Sequence, residues 1–142
     1  MRILVERDLG ASAQDVWGAI TDHEGMGRWL DARVSVVSRS GAGAVGTVRR
    51  VKARGLAIDE EVVYADPPAE GRPGRLVYRI VRGLPIRFHR GEMLVEQLGA
   101  RRSRLSWDVR MESAVPGLAR ATGLLLRPAL AAGLVRLDGL LA

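Results

Sequence analysis

The sequence predicts an α+β protein in which one antiparallel sheet curves around a long C-terminal helix. Three observations carry this expectation. An alternating strand over Arg2 to Leu9 leads directly into a helical segment that starts at Ser12. From Val34 to Ser113 the chain then reads as a run of strands separated by turn signals. Only from Leu118, after the break at Pro116-Gly117, does a helical pattern return, and it lasts to the end of the chain. Such a shape encloses a cavity.

The elements follow in order. Ser12 is a suitable N-cap, and Asp15 adds negative charge in the first turn, where the helix dipole favours it. Ala13, Val16, Trp17 and Ile20 recur at helical spacing, and the helix is expected to stop near Thr21. Asp22 then caps a weaker second turn carrying Met26, Trp29 and Leu30; His23, at its start, is expected to be exposed. Strands are expected at Ala32 to Ser38 and Gly46 to Arg54, joined by the flexible stretch Ser40 to Ala44.

Arg54 to Ala57 reads as a hairpin turn with Gly55 at its first central position. That register sets Lys52 against Asp59, Arg50 against Glu61 and Val48 against Val63 on an outer face. Thr47, Arg49, Val51, Glu60, Val62 and Tyr64 fall on the inner face, with Arg49 and Glu60 as diagonal neighbours able to form an ion pair. After the turn-rich stretch Asp66 to Gly74, Leu76, Tyr78 and Ile80 share one side of a strand over Arg75 to Val81. In Ile86 to Leu98, the charged residues Arg90, Glu92 and Glu96 share a parity that leaves His89, Gly91, Met93 and Val95 on the other face. Between Arg104 and Glu112 the alternation is clearest, with Leu105, Trp107, Val109 and Met111 inward. In the last helix a polar stripe of Arg120, Arg127 and Asp138 is opposed by Leu118, Thr122, Leu125, Ala129 and Ala132, so small residues are expected against the sheet. Pro128 is expected to kink this helix, and Arg136, on its apolar side, either turns to solvent or reaches an interior polar group.

Composition narrows the function. The 142 residues suit one domain over 1–142, and aromatics make up only 4% of them, so few large rings are available to fill a concave sheet. The chain has no cysteine, which excludes disulfides, thiolate metal sites and cysteine nucleophiles. Two histidines far apart give no ligand spacing for a metal, and neither a metal nor an organic cofactor is expected. Gly41, Gly43 and Gly46 form no phosphate loop, and no serine sits in a nucleophile motif. The net charge of +6 comes from basic residues scattered along the sheet, all but Lys52 of them arginine, which argues against nucleic acid as a partner. The start of the chain lacks a signal-peptide pattern, and four charges interrupt Leu118 to Ala142, so a cytoplasmic protein with no membrane span is expected. A monomer and a homodimer are equally open.

The segment Ala11 to Trp17, Thr21-Asp22 with Trp29, Asp66-Pro67-Pro68 after a strand, Leu105-Ser106-Trp107, and Pro116-Gly117 before the long helix together resemble the START/Bet v 1-like superfamily. The likeness is to its bacterial SRPBCC, or polyketide cyclase/dehydrase-like, members, and it covers essentially the whole chain. It implies a helix-grip fold: a seven-stranded antiparallel sheet wrapped around the C-terminal helix, with two short helices after strand one. It also implies a cavity for a hydrophobic small molecule such as a lipid, quinone or polyketide, in a carrier or sensor.

Cavity-facing candidates for ligand binding are Arg49, Glu60, Tyr64, Tyr78, His89, Met93, Trp107, Met111, Leu125 and Ala129. The first alternative is a cofactor-independent polyketide aromatase/cyclase or dehydratase, for which His89 and Tyr78 are the candidate proton-transfer groups. The second is an interaction module like the Hsp90 activators. The mouth of the cavity is expected near Asp22 to Leu30 or Asp66 to Gly74.

Overall fold

A computed structural model of the chain describes residues 1–39 and 44–142. The expected glycine-rich connection Ser40 to Ala44 lies almost wholly outside them. The elements are β1 (Arg2–Leu9), α1 (Ala13–Thr21), a 3-10 helix (Glu24–Arg28), β2 (Arg33–Ser38), β3 (Val48–Ala53), β4 (Leu56–Asp66), β5 (Gly74–Arg82), β6 (Ile86–Gly99), β7 (Arg102–Ser113) and α2 (Leu118–Leu141). The strands form one seven-stranded antiparallel sheet in the order β1-β7-β6-β5-β4-β3-β2, so the chain's first strand closes on its last. This is the helix-grip fold.

Local chemistry accounts for the two turns that follow β1. Ser12 Oγ accepts from the Asp15 N–H at 3.1 Å, and Asp22 Oδ1 accepts from Gly25 N–H at 3.2 Å, satisfying donors that a helix start leaves without partners. Between them, Ala13, Val16 and Ile20 bury one face. Met26 and Trp29 are buried from the second turn, and Trp29 meets Trp107 of β7 with ring centroids 5.9 Å apart. The alternation in β7 holds throughout its central part: Leu105, Trp107, Val109 and Met111 are buried while Arg110 is exposed.

The β3–β4 hairpin differs from its expected register. Both Arg54 (φ 51°) and Gly55 (φ 79°) lie in the left-handed region, the signature of a type I′ turn, and Ala53 pairs with Leu56. Arg50 therefore faces Asp59 and Val48 faces Glu61, a slip of two residues from the expected pairing. A slip of two leaves every side chain on its face, so Arg49 and Glu60 still point inward, now directly opposite one another. Tyr64 is the exception. The pairing of β4 with β5 shifts between Val62 and Tyr64, and this bulge turns Tyr64 outward, 47% exposed.

Helix α2 runs through Pro128 without interruption, and its buried face is Gly123, Leu130, Gly133, Leu134 and Leu137. That stripe lies about 100° from the expected one; Leu125, Ala129 and Ala132 are exposed because the leucine ridge at 130, 134 and 137 grips the sheet instead. A Cβ at Gly133 would sit 2.7 Å from Leu30 Cδ2 and 3.3 Å from the Trp29 carbonyl, so a hydrogen there lets the helix press on the 3-10 segment. Arg136 reaches the same carbonyl at 3.4 Å.

A second close approach shapes the interior. Gly91 of β6 pairs with Tyr78 of β5, and a Cβ there would fall 2.1 Å from Tyr78 Cζ; the tyrosine ring lies flat across the glycine. Gly91→Ala is expected to push that buried ring off its seat and to lower stability by about 1 to 3 kcal/mol, as overpacking does. Urea unfolding of the two proteins measures it.

Candidate functional site

Strand β5 stays paired with β6 from Gly74 to Tyr78, the last pair being Tyr78 with Gly91. Past it the Ile80 N–H donates to His89 Nδ1 at 3.1 Å. An imidazole thus takes the place of a ladder carbonyl, and the gap between the strands is filled by a polar ring. Between this part of the sheet and α2 lies a cavity of about 370 Å³. Its walls are aliphatic, from Val51, Ile58, Ile80, Val109, Met111, Leu126 and Leu130. Its polar side chains are Arg49, Glu60, Tyr78, His89 and Trp107, with Asp31 and Arg54 at the solvent-exposed edge.

Arg49 organises the polar end. It is only 1% exposed; its Nε donates to Glu60 Oε1 at 3.0 Å, while Nη1 donates to Met26 Sδ at 3.0 Å and to His23 Nδ1 at 3.1 Å. Its guanidinium also stacks over Tyr78, 4.8 Å from the ring centroid. His23 is buried, contrary to the expectation of exposure, because the 3-10 helix folds it back over the sheet to accept from Arg49. No hydrophobic periodicity marks such a residue; the only signal in the sequence is that an inward Arg49 has more donors than Glu60 alone can satisfy.

Tyr78 accepts from Trp107 Nε1 at 2.8 Å, which leaves its own hydroxyl proton free to donate. Burial, reinforced by the Glu60 charge, pushes its phenol well above the ordinary value, so it remains protonated. The His89 ring lies 5.7 Å from that of Tyr78, tilted 44° to it, and burial lowers its pKa from 6.5 to about 4. A neutral ring whose Nδ1 accepts from a backbone amide carries its proton on Nε2. The polar end of the cavity therefore offers donors from Tyr78 and His89, and one carboxylate already shared with Arg49.

Of the ten candidate residues, the cavity brings together Arg49, Glu60, Tyr78, His89, Trp107, Met111, Leu125 and Ala129. Tyr64 faces solvent on the far side of its bulge, and Met93 is wholly buried in the core away from the cavity lining, against Leu76 and Trp107 in the pairing. The edge of the cavity runs along Asp31 and Ala32, the β3–β4 turn at Arg54 and Leu56, and α2 at Leu125 and Ala129. Of the 22–30 segment, Met26 lines the cavity and Leu30 borders its edge. The loop Asp66 to Gly74 does not, because Pro68 packs with Gly74 against Trp17 instead. Among the described residues, no three histidine, cysteine or carboxylate side chains converge to hold a metal ion. No described helix is long and apolar enough to cross a membrane.

A curved sheet gripping a helix, with an apolar cavity closed by a few converging polar groups, is the architecture of a polyketide cyclase-like protein. The chain belongs to the family described as polyketide cyclase/dehydrase and lipid transport, whose model matches residues 2–142. No curated protein sequence matches it. Solved structures share its fold at low identity. A START superfamily protein from Mycobacterium smegmatis is 18% identical, with 99% of this chain and 96% of that one covered and a TM-score of 0.79. The di-domain ARO/CYC BexL of the BE-7585A biosynthetic pathway is 18% identical over 97% of this chain and 46% of its own, with a TM-score of 0.74. A norcoclaurine synthase from Thalictrum, in complex with a transition-state analogue, is 17% identical over 98% and 95% of the two chains, with a TM-score of 0.64.

Buried His23 and partly buried His89 make stability depend on pH. Burial, and for His23 also the Arg49 charge, holds each at about 4 against 6.5 unfolded. The unfolded chain therefore takes up protons that the folded one refuses. Their stabilising contribution is complete above pH 6.5 and is lost as pH falls toward 4, by roughly 1 to 2 kcal/mol each once solvent screening is allowed for. Thermal melts between pH 7.5 and 4.5 should show this decline, and His89→Asn should remove a good part of the slope, given how much burial holds that ring neutral.

Proposed function

We propose that the chain acts as one domain that carries or senses a hydrophobic small molecule bearing carbonyl oxygens, a quinone or polyketide-like ring system being the best fit. The observation that supports this most is the polarity of the closed end of the cavity. Tyr78 and His89 present hydrogen-bond donors from adjacent rings, and acceptors on the ligand are what they would meet. A carboxylate is disfavoured: Arg49, the one buried cation among the described residues, is already neutralised by Glu60, so a second anion would lie there unpaired. The aliphatic walls suit the rest of such a ligand, and the volume of about 370 Å³ falls within the range of small-molecule sites.

The carrier reading is favoured over the cyclase or dehydratase by the same groups. A histidine held near 4 is almost wholly deprotonated at neutral pH and a poor base, and a phenol raised by burial is a poor acid. Both are better suited to donating hydrogen bonds than to moving protons. An interaction module would use the outer surfaces and would leave the donors in the cavity without a role.

Native mass spectrometry of the protein as isolated, followed by titration with 1,4-naphthoquinone and with a medium-chain fatty acid, tests the proposal. The quinone should bind and the fatty acid should bind more weakly. Tyr78→Phe should reduce quinone affinity by about 0.5 to 1.5 kcal/mol, the value of one hydrogen bond. Preference for the fatty acid would contradict the reading, and turnover of a poly-β-keto mimic that depends on His89 would replace the carrier with an enzyme.

A further inference from the structure

A second space adjoins the internal cavity. Between the edge strand β1 and the first turns of α2 runs an open groove of about 570 Å³, with Ile3, Val115, Ala119 and Leu124 among its apolar walls and Arg120 and Arg127 at its rim. The two spaces lie on opposite sides of the helix: Ala119 and Leu124 border the groove, while Leu125 and Ala129 border the cavity. Among the described residues, Met1 alone lines both.

The sheet places Met1 there. Its carbonyl accepts from the Met111 N–H at 3.0 Å, which continues the β1–β7 ladder by one residue and sets the side chain between the sheet and α2. Gly123 of the helix stands against it. A Cβ at that position would lie 2.9 Å from Met1 Cγ and 3.4 Å from its sulfur, so the methionine occupies space that any other residue at 123 would take. The partition between cavity and groove is therefore one unbranched side chain packed on bare helix backbone. Methionine, with three rotatable bonds, is the apolar side chain that re-packs most readily.

We propose that the ligand of the cavity is elongated, a carbonyl-bearing ring at Tyr78 and His89 joined to a linear apolar tail that passes beneath α2 at Gly123, in the place of the Met1 side chain, and lies in the groove. This rests on the reading of the cavity given above and adds the shape of the ligand to it. An apolar groove left open beside an apolar cavity, with only Met1 between them, is accounted for by a molecule that occupies both. A naphthoquinone with a dodecyl tail needs roughly 450 Å³ at the packing density of a protein interior, more than the cavity of about 370 Å³ holds. Its excess length has two ways out. Past the mouth beside Leu56 and Ala129 the tail would end in water, whereas the groove offers apolar walls, and the stems of Arg120 and Arg127 can cover a chain while their charged ends stay hydrated.

Titration with 2-alkyl-1,4-naphthoquinones, from the ring without a tail to the dodecyl compound, tests this. Affinity should still rise between the octyl and dodecyl compounds by about tenfold or more, since each methylene withdrawn from water is worth up to about fourfold. Gly123→Leu, which fills the passage, and separately Ala119→Trp, which fills the groove, should each abolish that rise. Both should leave affinity for the ring without a tail unchanged, which also shows that the variants are folded. In the unaltered chain, a dodecyl tail ending in a diazirine should photolabel Val115 or Ala119. A plateau beyond octyl in the unaltered chain, a rise that survives both variants, or label on Leu56 or Ala129 in place of the groove would overturn the proposal. If the ring alone is not bound, the cavity reading falls and the elongated ligand with it; if the ring binds and only the dependence on the tail is absent, the cavity reading stands and the elongated ligand is ruled out.

Discussion

The Arg49 guanidinium is the point on which the arrangement of the interior depends. It sits near the start of β3, almost wholly removed from water, and joins Glu60 of β4, His23 and Met26 of the segment after α1, and the face of Tyr78 on β5. A charge so placed is tolerated only if nearly every donor finds an acceptor. That requirement fixes several otherwise independent elements at once. It sets the hairpin register that opposes Arg49 to Glu60, draws His23 inward and holds the 3-10 helix against the sheet, where Trp29 can meet Trp107.

The cavity is the consequence of what the chain cannot fill. Tyr78 lies flat over Gly91 and is tied to Trp107, so the two largest rings of this region lean across the sheet rather than into the space below α2. Beyond Tyr78 the sheet stops closing on itself and His89 caps the Ile80 amide. On the other side, Gly133 brings α2 against Trp29 and Leu30, while the helix's leucine ridge at 130, 134 and 137 packs the core. What is left between ridge, hairpin and open sheet is apolar on its walls and polar at one end. The same hairpin and helix supply the mouth, which ties the outer surface to the interior.

Much of this was legible in the sequence where a pattern had only one physical reading. The alternation of β7 could be satisfied on one face alone, and Trp107 and Met111 lie inward as that alternation demands. The charged parity of β6 likewise placed His89 and Gly91 on the inner face. Register in the β3–β4 hairpin was less determined, because a turn at Arg54-Gly55 requires a non-glycine residue at positive φ, which propensity argues against. Tyr64 was misplaced by a bulge, which leaves no mark in the uniformly apolar run Val62, Val63 and Tyr64. Helix α2 was misphased because its exposed side is nearly as apolar as its buried side, so the contrast that normally fixes a helix's orientation was missing. His23 depended wholly on a tertiary partner distant in sequence.

The most direct test of the central role of Arg49 is a double-mutant cycle with Glu60, read by unfolding free energy and by quinone uptake together. Arg49→Met should cost about 3 to 5 kcal/mol by leaving Glu60 buried without its partner, and Arg49→Met/Glu60→Leu should recover most of that stability. Both variants should lose the ordered cavity end and hence the preference for a carbonyl-bearing ligand over a fatty acid. If Arg49→Met leaves stability and ligand preference unchanged, or if the double variant is no more stable than the single, the pair does not organise the interior and the account fails.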